Sequence, residues 1–369
     1  MKDTMAIILA DTEAIPPITD KRSGLALPIA GRYRIIDFML SNFANAGIPN
    51  IGVATKEKYS SLMDHIKSGR PWDLDRKKQG LTLLPPNLMS ASTLSGDINI
   101  LAGIRSFIKK SHQTYVVLSM GCSLVNIDIE SVVEEHIASQ ADVTVVYKNM
   151  KGIEEKELSR FVLLDINEDN RIIDIENKPY YPKATNAGMD IYVMEKALLE
   201  SIIDECSARG NHDFVKDALA QKVSGLRVFG YEHTGYYEKI DSLKSYYANN
   251  MAFLNEDIRK ELFNPENPIF TKTKDHPPSK YGNDAKVENS FISDGCVIEG
   301  TVINCILSRN VKIKKDAIIK NSIIMQDSVI DEGVELDYVV FDKETHITQG
   351  RKLLGQPSFP LAVAKGTEI

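Results

Sequence analysis

A six-residue repeat near the carboxyl end is the feature that most narrows the possible folds of this chain. Apolar residues recur six apart, with one five-residue step, in a column formed by Leu307, Ile313, Ile319, Ile324, Ile330 and Leu336. A companion column of small or apolar residues with the same slip comprises Cys305, Val311, Ala317, Ser322, Ser328, Val334 and Val340. Helices repeat every 3.6 residues and strands every two, so neither explains this period. The pattern predicts a left-handed parallel β-helix of hexapeptide repeats over residues 285–369, and it fits a small β-sandwich poorly.

The chain before this repeat alternates short apolar runs with amphipathic stretches. The candidate strands are Met5–Ala10, Asn50–Thr55, Tyr115–Ser119, Val143–Tyr147, Phe161–Ile166, Met189–Val193 and Leu226–Gly230. Residues Ile36, Met39, Leu40 and Phe43 stand between two of them at helical spacing. Repeated strand–helix alternation predicts an α/β domain over residues 1–262, with a doubly wound, mostly parallel sheet.

Two segments show neither the spacing of a helix nor that of a strand. Residues 263–284 contain Pro265, Pro268, Pro277 and Pro278 among charged residues, and we interpret them as a linker between the two domains. Residues 81–95 contain Pro85, Pro86 and a polar run, which predicts a long surface loop.

Charge and composition exclude several functional classes. A net charge of -7 argues against general nucleic-acid binding, which depends on neutralising phosphates. No run of about 18 apolar residues occurs, so no membrane span is expected, and Met5–Ala10 is interpreted as a buried strand rather than a signal peptide. The four cysteines form no CxxC pair, which favours a reduced, cytoplasmic protein without a zinc cluster.

The loop after the first strand is where an α/β sheet would hold a phosphate group. Such a loop needs glycines, whose backbone N–H groups can approach the phosphate, together with cationic side chains. Here it contains the carboxylates of Asp11 and Glu13, followed by Pro16 and Pro17, which lack N–H donors. This loop is therefore unsuited to cradling a nucleotide.

Seven segments resemble bacterial glucose-1-phosphate adenylyltransferases, a family that includes regulatory, GlgD-type subunits. They are residues 30–42 (AGRYRIIDFMLSN), 47–55, 61–66, 172–179, 189–193, 212–217 and 235–243. Members of this family also have a β-helix after the catalytic domain, so the resemblance extends over nearly the whole chain. It implies a role in glycogen biosynthesis, where ATP and glucose 1-phosphate form ADP-glucose and pyrophosphate.

The same resemblance implies that the active site is degenerate. The family's glycine-rich loop with two arginines is replaced by Asp11–Pro17, and Gly24 stands where a phosphate-binding lysine is expected. The two family aspartates that hold Mg²⁺ correspond to Cys122 and Lys239, and the turn that approaches the base corresponds to residues 96–100. We therefore expect no catalytic residues, no metal site and no cofactor on this chain, with Mg²⁺ on a catalytic partner.

Several cations match family positions that bind anions. Lys178 matches the lysine that contacts the sugar phosphate, with a solvated strand-end lysine as the alternative. Asp213 and Lys216 are candidate substrate contacts in a matched helix start, although Asp213 is better explained there as an N-cap. Three further residues match positions that, in the family, contribute to an allosteric anion site between the catalytic domain and the β-helix, with a solvated basic edge as the alternative: Lys21, Arg22 and Arg34.

These features predict a regulatory subunit that associates with a catalytic glucose-1-phosphate adenylyltransferase subunit, as a heterotetramer, and that responds to a phosphorylated metabolite. Two alternatives stay open at this point. One is a weakly active nucleotidyltransferase with a remodelled site. The other is a β-helix scaffold or acyltransferase, for which His346 is the only histidine in the repeat.

Overall fold

The structure, a computed structural model, describes residues 1–10, 13–56, 58–85 and 96–369. The strands of the first domain are β1 Thr4–Ala10, β2 Pro28–Ile29, β3 Tyr33–Arg34, β4 Asn50–Thr55, β5 Gly80–Leu84, β6 Tyr115–Met120, β7 Ser123–Val125, β8 Val143–Asn149, β9 Val162–Ile166, β10 Ile172–Asn177, β11 Asn186–Glu195, β12 Val228–Glu232 and β13 Tyr237–Lys239. The helices are α1 Ile35–Asn45, α2 Ser60–Ile66, α3 Asp97–Gly103, α4 Arg105–Lys110, α5 Ile129–Ala138, α6 Glu155–Leu158, α7 Lys196–Arg209, α8 Ala220–Lys222, α9 Leu243–Ala252 and α10 Glu256–Leu262.

The first domain is built on one twisted sheet in the order β10-β9-β11-β6-β1-β4-β5, with β8 on β11 and β12 on β8. Strand β1 pairs in parallel with both β4 and β6, whereas β11 runs antiparallel to β6, β8 and β9. In β1, Ala6, Ile8 and Ala10 enter one hydrophobic cluster, and the intervening residues enter another on the opposite face. Both faces are covered, which explains the uninterrupted apolar run. The predicted doubly wound α/β domain is confirmed.

One expected loop is partly a strand. Residues 80–84 form β5, which pairs in parallel with β4 at the edge of the sheet. Leu81 and Leu83 pack against one cluster and Leu84 against the other, so two-sided packing decides this strand despite the prolines that follow. The prediction of a surface loop is therefore wrong for residues 81–84. Residues 86–95 lie outside the described residues.

The carboxyl-terminal third forms the predicted β-helix. Its strands are β14 Lys280–Tyr281, β15 Lys286–Glu288, β16 Phe291–Ile292, β17 Val297–Ile298, β18 Thr301–Ile303, β19 Ile306–Leu307, β20 Lys312–Ile313, β21 Ile318–Lys320, β22 Ile323–Ile324, β23 Val329–Ile330, β24 Glu335–Asp337, β25 Val339–Phe341, β26 His346–Ile347, β27 Lys352–Leu354 and β28 Leu361–Val363. Within the fully described residues 280–363 they form three parallel sheets, with every third strand in the same sheet. Helix α10 ends at Leu262, and β14 begins at Lys280, inside the segment interpreted as a linker.

The corners of the coil explain its polar residues. Asn304 and Asn321 adopt positive φ values of 53° and 45°, a conformation that asparagine tolerates better than most residues. Their side-chain amides form a ladder along the axis, in which Asn304 donates to Asn321 Oδ1 at 3.3 Å and Asn321 donates to Asp337 Oδ1 at 2.9 Å. Each corner is thereby stabilised by the coil above it.

One sheet of the β-helix is covered by the first domain. The outward side chains Ile306, Ile323 and Val340 are at most 2% exposed and belong to the same cluster as the core of the first domain. Val340 therefore does not continue the companion column, whose other apolar members pack inside the coil. The hydroxyl of Tyr247 donates to the carbonyl oxygen of Asn321 at 2.6 Å across this interface. The two domains therefore share one hydrophobic core and hold each other in a defined orientation.

No helix among the described residues is long and apolar enough to cross a membrane.

Candidate functional site

A short antiparallel ladder brings together the two positions that match the family's metal-binding aspartates. Strands β7 and β13 pair so that Lys239 is opposite Ser123, and the backbone N–H of Ile240 donates to the carbonyl oxygen of Cys122 at 2.9 Å. Cys122 is 3% exposed and Lys239 is 9% exposed. These residues are far apart in sequence, so only the fold places them in one site.

Lys239 makes a buried ion pair at this point. Its ammonium Nζ lies 2.7 Å from Asp190 Oδ2, and both side chains are almost completely buried. Burial disfavours the charged ammonium, but attraction to Asp190 and the hydrogen bond between them outweigh it and raise the pKa of Lys239. The lysine is therefore charged at neutral pH.

This arrangement does not fit a Mg²⁺ ion. Magnesium requires several oxygen ligands in octahedral geometry, and here Asp190 is neutralised by an ammonium group while Cys122 offers only a thiol. Among the described residues no group of three or more His, Cys, Asp or Glu side chains is placed to hold a metal ion.

A second cation lies beside the first. Arg160 donates to both carboxylate oxygens of Asp241, at 3.0 and 2.6 Å, and to Glu157 Oε2 at 2.7 Å. Its NH2 group also donates to the carbonyl oxygen of Lys239 at 3.1 Å. Despite partial burial, these carboxylates raise the pKa of Arg160. The guanidinium thus braces the backbone that carries Lys239.

The predicted sugar-phosphate lysine is also paired. Lys178 Nζ lies 2.7 Å from Glu13 Oε1, and the two side chains are 48% and 56% exposed. Lys178 follows β10 directly, and its backbone N–H donates to the carbonyl oxygen of Phe161 at 3.1 Å. Glu13 belongs to the acidic loop after β1, so this contact joins two loops at one edge of the sheet.

The other two candidate substrate residues lie at the start of a short π-helix, Phe214–Leu219, for which Asp213 is the N-cap. Asp213 Oδ1 accepts a hydrogen bond from the backbone N–H of Lys216 at 2.7 Å, as an N-cap does, and Asp213 Oδ2 accepts from Asn177 Nδ2 at 3.3 Å. The Lys216 side chain is exposed. Asn177 thereby links Asp213 to the loop of Lys178, whereas the Lys216 side chain has no hydrogen-bond or ion-pair partner among the described residues.

The turn that matches the family's base-binding segment packs on this same helix start. The backbone N–H of Ile98 donates to the carbonyl oxygen of His212 at 3.1 Å. Gly96 has a φ of +141°, and a side chain there would collide with His212. The turn is therefore closed against residue 212 by a contact that requires glycine.

The three predicted effector residues occupy different surroundings. Arg22 is buried at the domain interface, where its guanidinium lies 2.8 Å from Asp342 Oδ1 of the β-helix. Arg34 is also buried, and its guanidinium donates to the carbonyl oxygen of Ser61 at 2.6 Å. Lys21 is exposed. The structure brings Arg22 and Arg34 to the same interface and leaves Lys21 at its margin.

Three further cations, which the sequence did not reveal, complete this cluster. Lys343 is surrounded by positive charge, and burial together with Arg34, Arg22 and Lys274 lowers its pKa to about 7. Burial and neighbouring cations also lower the pKa values of Lys274 and Arg309. We call this set the interdomain cation cluster, with the members Arg22, Arg34, Lys274, Arg309 and Lys343.

Two donors in this region lack partners among the described residues. The Nε of Arg309 and the hydroxyl of Ser293 are buried and make no hydrogen bond there, and both residues are 6% exposed. Arg309 is anchored only weakly, at 3.5 Å, to the carbonyl oxygen of Arg32. Buried donors without partners are unusual, and an anion is the kind of group that would satisfy them.

Comparison with known proteins gives a family match for each of the two domains. The nucleotidyl transferase family model matches residues 6–256, and the model described as GlmU-like, C-terminal hexapeptide matches residues 277–356. The fold and these matches define a nucleotidyl transferase domain followed by a hexapeptide β-helix.

Individual relatives narrow the assignment. The chain is 34% identical over 354 residues to the glycogen biosynthesis protein GlgD of Bacillus subtilis (strain 168), an alignment covering 96% of this chain and 92% of GlgD. It is 32% identical over 337 residues to the glucose-1-phosphate adenylyltransferase of Clostridium perfringens (strain SM101 / Type A), covering 89% and 86%. It is 33% identical over 326 residues to the enzyme of that name from Geobacillus stearothermophilus, covering 86% and 84%. The chain therefore belongs to the family of GlgD and the glucose-1-phosphate adenylyltransferases, as its sequence motifs predict.

Proposed function

We propose that this chain is a regulatory subunit of a glucose-1-phosphate adenylyltransferase in cytoplasmic glycogen biosynthesis, with an impaired active site of its own. In this proposal it joins a catalytic, Mg²⁺-bearing homologue in a heterotetramer and changes that partner's activity. The observation that carries the proposal is the buried Lys239–Asp190 ion pair, at 2.7 Å, where catalytic relatives are expected to hold a metal.

The chemistry of the reaction explains why the Lys239–Asp190 ion pair supports a loss of activity. Nucleotidyl transfer develops charge on phosphate oxygens, and catalysis depends mainly on positioned cations and Mg²⁺. An ammonium group inside the metal position repels a divalent ion and removes the Asp190 carboxylate as a ligand. Loss of the metal site, together with the acidic Glu13 in place of a glycine-rich loop, supports an inactive chain.

The interdomain cation cluster supports a response to a phosphorylated metabolite. In the proposal Lys21, Arg22 and Arg34 bind this effector, and Lys343 and Arg309 join them from the β-helix. Burial is the largest cause of the lowered pKa of Lys343, and the neighbouring cations Arg34, Arg22 and Lys274 lower it further. A phosphate dianion would relieve this repulsion and give Arg309 Nε an acceptor.

The first coil of the β-helix supports association with a partner. Tyr281 and Val287 belong to its opening strands, and they are 52% and 39% exposed. At the other end, the backbone N–H of Ile369 donates to the carbonyl oxygen of His346, so that the chain closes its last coil. An apolar coil end without such closure is a surface that an associating subunit can cover.

The test is ADP-glucose formation from ATP and glucose 1-phosphate with Mg²⁺, for this chain alone, for the catalytic subunit of the same cell alone, and for their mixture. We expect no turnover from this chain and a higher rate, or an altered effector response, in the mixture. Equal rates with and without this chain would contradict the regulatory role. Turnover by the purified chain alone would favour a weakly active enzyme instead.

A variant with both carboxylates restored distinguishes the loss of the metal ligands from the loss of the phosphate-binding loop. Cys122→Asp combined with Lys239→Asp returns both carboxylates but leaves the acidic loop unchanged. We expect this variant to remain inactive, because it still lacks the phosphate-binding loop. The matched control is Lys320→Ala on the exposed face of the β-helix, which should leave the mixture's rate unchanged.

A further inference from the structure

A cleft of about 700 Å³ lies at the edge of the sheet opposite the degenerate site. Tyr115, which lines this cleft, begins β6, whereas Cys122 follows the other end of that strand. A strand of six residues spans about 20 Å, so the cleft is separate from the degenerate site. Clefts of this size are large enough to hold small organic molecules.

One wall of the cleft is apolar. Ile137 of α5 is 47% exposed, and Leu198 of α7 and Leu226 before β12 are half-buried. The rings of Tyr115 and His136 pack edge to face, with their centroids 5.7 Å apart. These side chains together offer a surface that a large apolar or aromatic group can cover.

His136 contributes a buried hydrogen-bond donor to the cleft. It is only 1% exposed, and its Nδ1 lies 2.8 Å from Thr144 Oγ1, whose hydroxyl has no other hydrogen-bond partner in the part of the chain that the structure describes. Burial lowers the pKa of His136 to about 4, so the ring is neutral at pH 7 and one nitrogen carries the hydrogen. Because the hydroxyl needs an acceptor, Nδ1 accepts and Nε2 keeps the hydrogen. That Nε2–H group has no partner among the described residues.

Charges of both signs stand at the mouth of the cleft. Arg227 donates to Asp142 from Nε and Nη2, at 3.4 and 2.8 Å, whereas its Nη1 makes no hydrogen bond to any described residue. The exposed side chain of Glu195 has no ion-pair or hydrogen-bond partner within the described ranges, and its charge acts on Arg227. A phosphate group would be repelled by the carboxylates of Asp142 and Glu195. The lining instead suits a ligand that carries an acceptor for Arg227 and a cationic donor for Glu195.

We propose that this cleft binds a free α-amino acid with a large apolar side chain. The ligand's carboxylate accepts hydrogen bonds from Arg227 Nη1 and His136 Nε2, and its ammonium group donates to Glu195. Its side chain covers the apolar wall. Both charges of the zwitterion are thereby paired, together with the buried donor of His136. This site goes beyond the proposed function and does not depend on it.

The test is isothermal titration calorimetry of the full-length chain at pH 7, with phenylalanine as the probe. Phenylalaninamide lacks the carboxylate, N-acetylphenylalanine lacks the ammonium group, and glycine lacks the apolar side chain. We expect phenylalanine to bind about tenfold more tightly than each of these, because each of them loses one set of contacts. No binding of phenylalanine up to its solubility limit would overturn the proposal. Equal binding of phenylalaninamide would also overturn it and would indicate the amino terminus of a peptide as the ligand.

Substitutions assign each end of the ligand to its residue. Arg227→Met should raise the Kd of phenylalanine about fivefold or more and abolish its advantage over phenylalaninamide. Glu195→Gln should raise this Kd by a similar factor and abolish the advantage over N-acetylphenylalanine. Glu134→Gln makes the same charge change at an exposed position of α5 outside the cleft lining, and it should leave the Kd unaltered.

Thermal unfolding checks that the variants remain folded, as expected for substitutions of exposed side chains. If Arg227→Met or Glu195→Gln weakened all four ligands by the same factor, neither residue would contact a particular end of the ligand, and the proposal would be wrong. The site and the proposed function fail separately. Phenylalanine binding does not require a catalytic partner, and ADP-glucose formation in the mixture does not require phenylalanine.

Discussion

Arg22 and Asp342 are separated by 320 residues, yet their guanidinium and carboxylate groups lie 2.8 Å apart inside the domain interface. The pair is almost completely buried, with side chains 3% and 2% exposed. It joins the segment before α1 to a corner of the β-helix. A predicted effector residue is thus also a structural connection between the two domains.

Removing one member of this pair should destabilise the protein strongly. Arg22→Met leaves Asp342 charged and without its salt-bridge partner, and breaking a buried ion pair in this way costs about 3–5 kcal/mol. The measurement is the free energy of unfolding in urea. Lys260→Met breaks the exposed Lys260–Glu256 pair and should change this free energy by less than about 0.5 kcal/mol. Similar losses for the two variants would contradict the buried role of Arg22.

The Lys239–Asp190 pair should behave as a coupled unit. Lys239→Met and Asp190→Asn each leave one polar or charged group buried without its partner, and each should cost about 3 kcal/mol or more. The double variant replaces both charges and should be more stable than the sum of the single losses predicts. Chemical denaturation of the four proteins gives the coupling free energy. Strictly additive losses would mean that the two residues do not interact.

Lys343 should make stability depend on pH above neutrality. Its pKa is about 7 in the folded protein, because burial and the cations Arg34, Arg22 and Lys274 disfavour its charge, whereas Asp342 favours it. The ordinary value is 10.5, so between pH 7 and about 10 the unfolded chain holds a proton that the folded chain has lost. Stability contributed by this group therefore rises with pH across that window, and the penalty is complete below pH 7.

The check on Lys343 is a series of urea unfolding experiments between pH 6 and 9. Lys343→Met should remove this part of the rise, so that the variant gains less stability than the wild type as the pH increases. Lys320→Met changes an exposed lysine of the same β-helix and should follow the wild-type curve. Parallel curves for wild type and Lys343→Met would refute the prediction.

Burial of His136 should make the protein less stable as the pH falls below 6.5. It is 1% exposed and hydrogen-bonds with Thr144 Oγ1 at 2.8 Å, and burial lowers its pKa from 6.5 to about 4. As the pH falls through 6.5, the unfolded chain takes up a proton that the folded chain refuses until about pH 4, so stability is lost across this range. The loss is on the order of 3 kcal/mol.

A matched pair of histidine variants tests this expectation. His136→Gln removes the titrating group, so its stability should fall less between pH 7 and 4 than that of the wild type. His112→Gln, at an exposed position, should lose as much as the wild type does. The readout is the urea midpoint at each pH, compared after correction for any difference in slope.

The fold is largely predictable from the sequence because its apolar residues recur at regular spacings. The column Ile313, Ile319 and Ile330 forms the interior of the coil, each residue at most 1% exposed, and the six-residue spacing admits few other structures. The local sequence does not predict strand β5, because prolines follow it and the residues that pack on both of its faces are distant in sequence. The consecutive apolar pairs Ile306–Leu307 and Ile323–Ile324 indicate in the sequence that one face of the coil is covered.

The candidate site was predictable only residue by residue. Family motifs indicated Lys178, Cys122 and Lys239 individually, but nothing local to Glu13 or Asp190 showed that these carboxylates would be their neighbours. Lys343 and Arg309 are likewise ordinary basic residues of coil corners in the sequence. Their chemistry arises from the first domain, which packs against them and excludes water.

The sequence by itself determined the α/β domain and the repeat that builds the coil, because both depend on spacing and residue type. Only the tertiary structure decided which charges meet. The pairs Lys239–Asp190, Lys178–Glu13 and Arg22–Asp342 form because sheet order and the shared core bring distant loops together. Electrostatic interactions depend on distance and burial, and neither quantity is encoded locally along the chain.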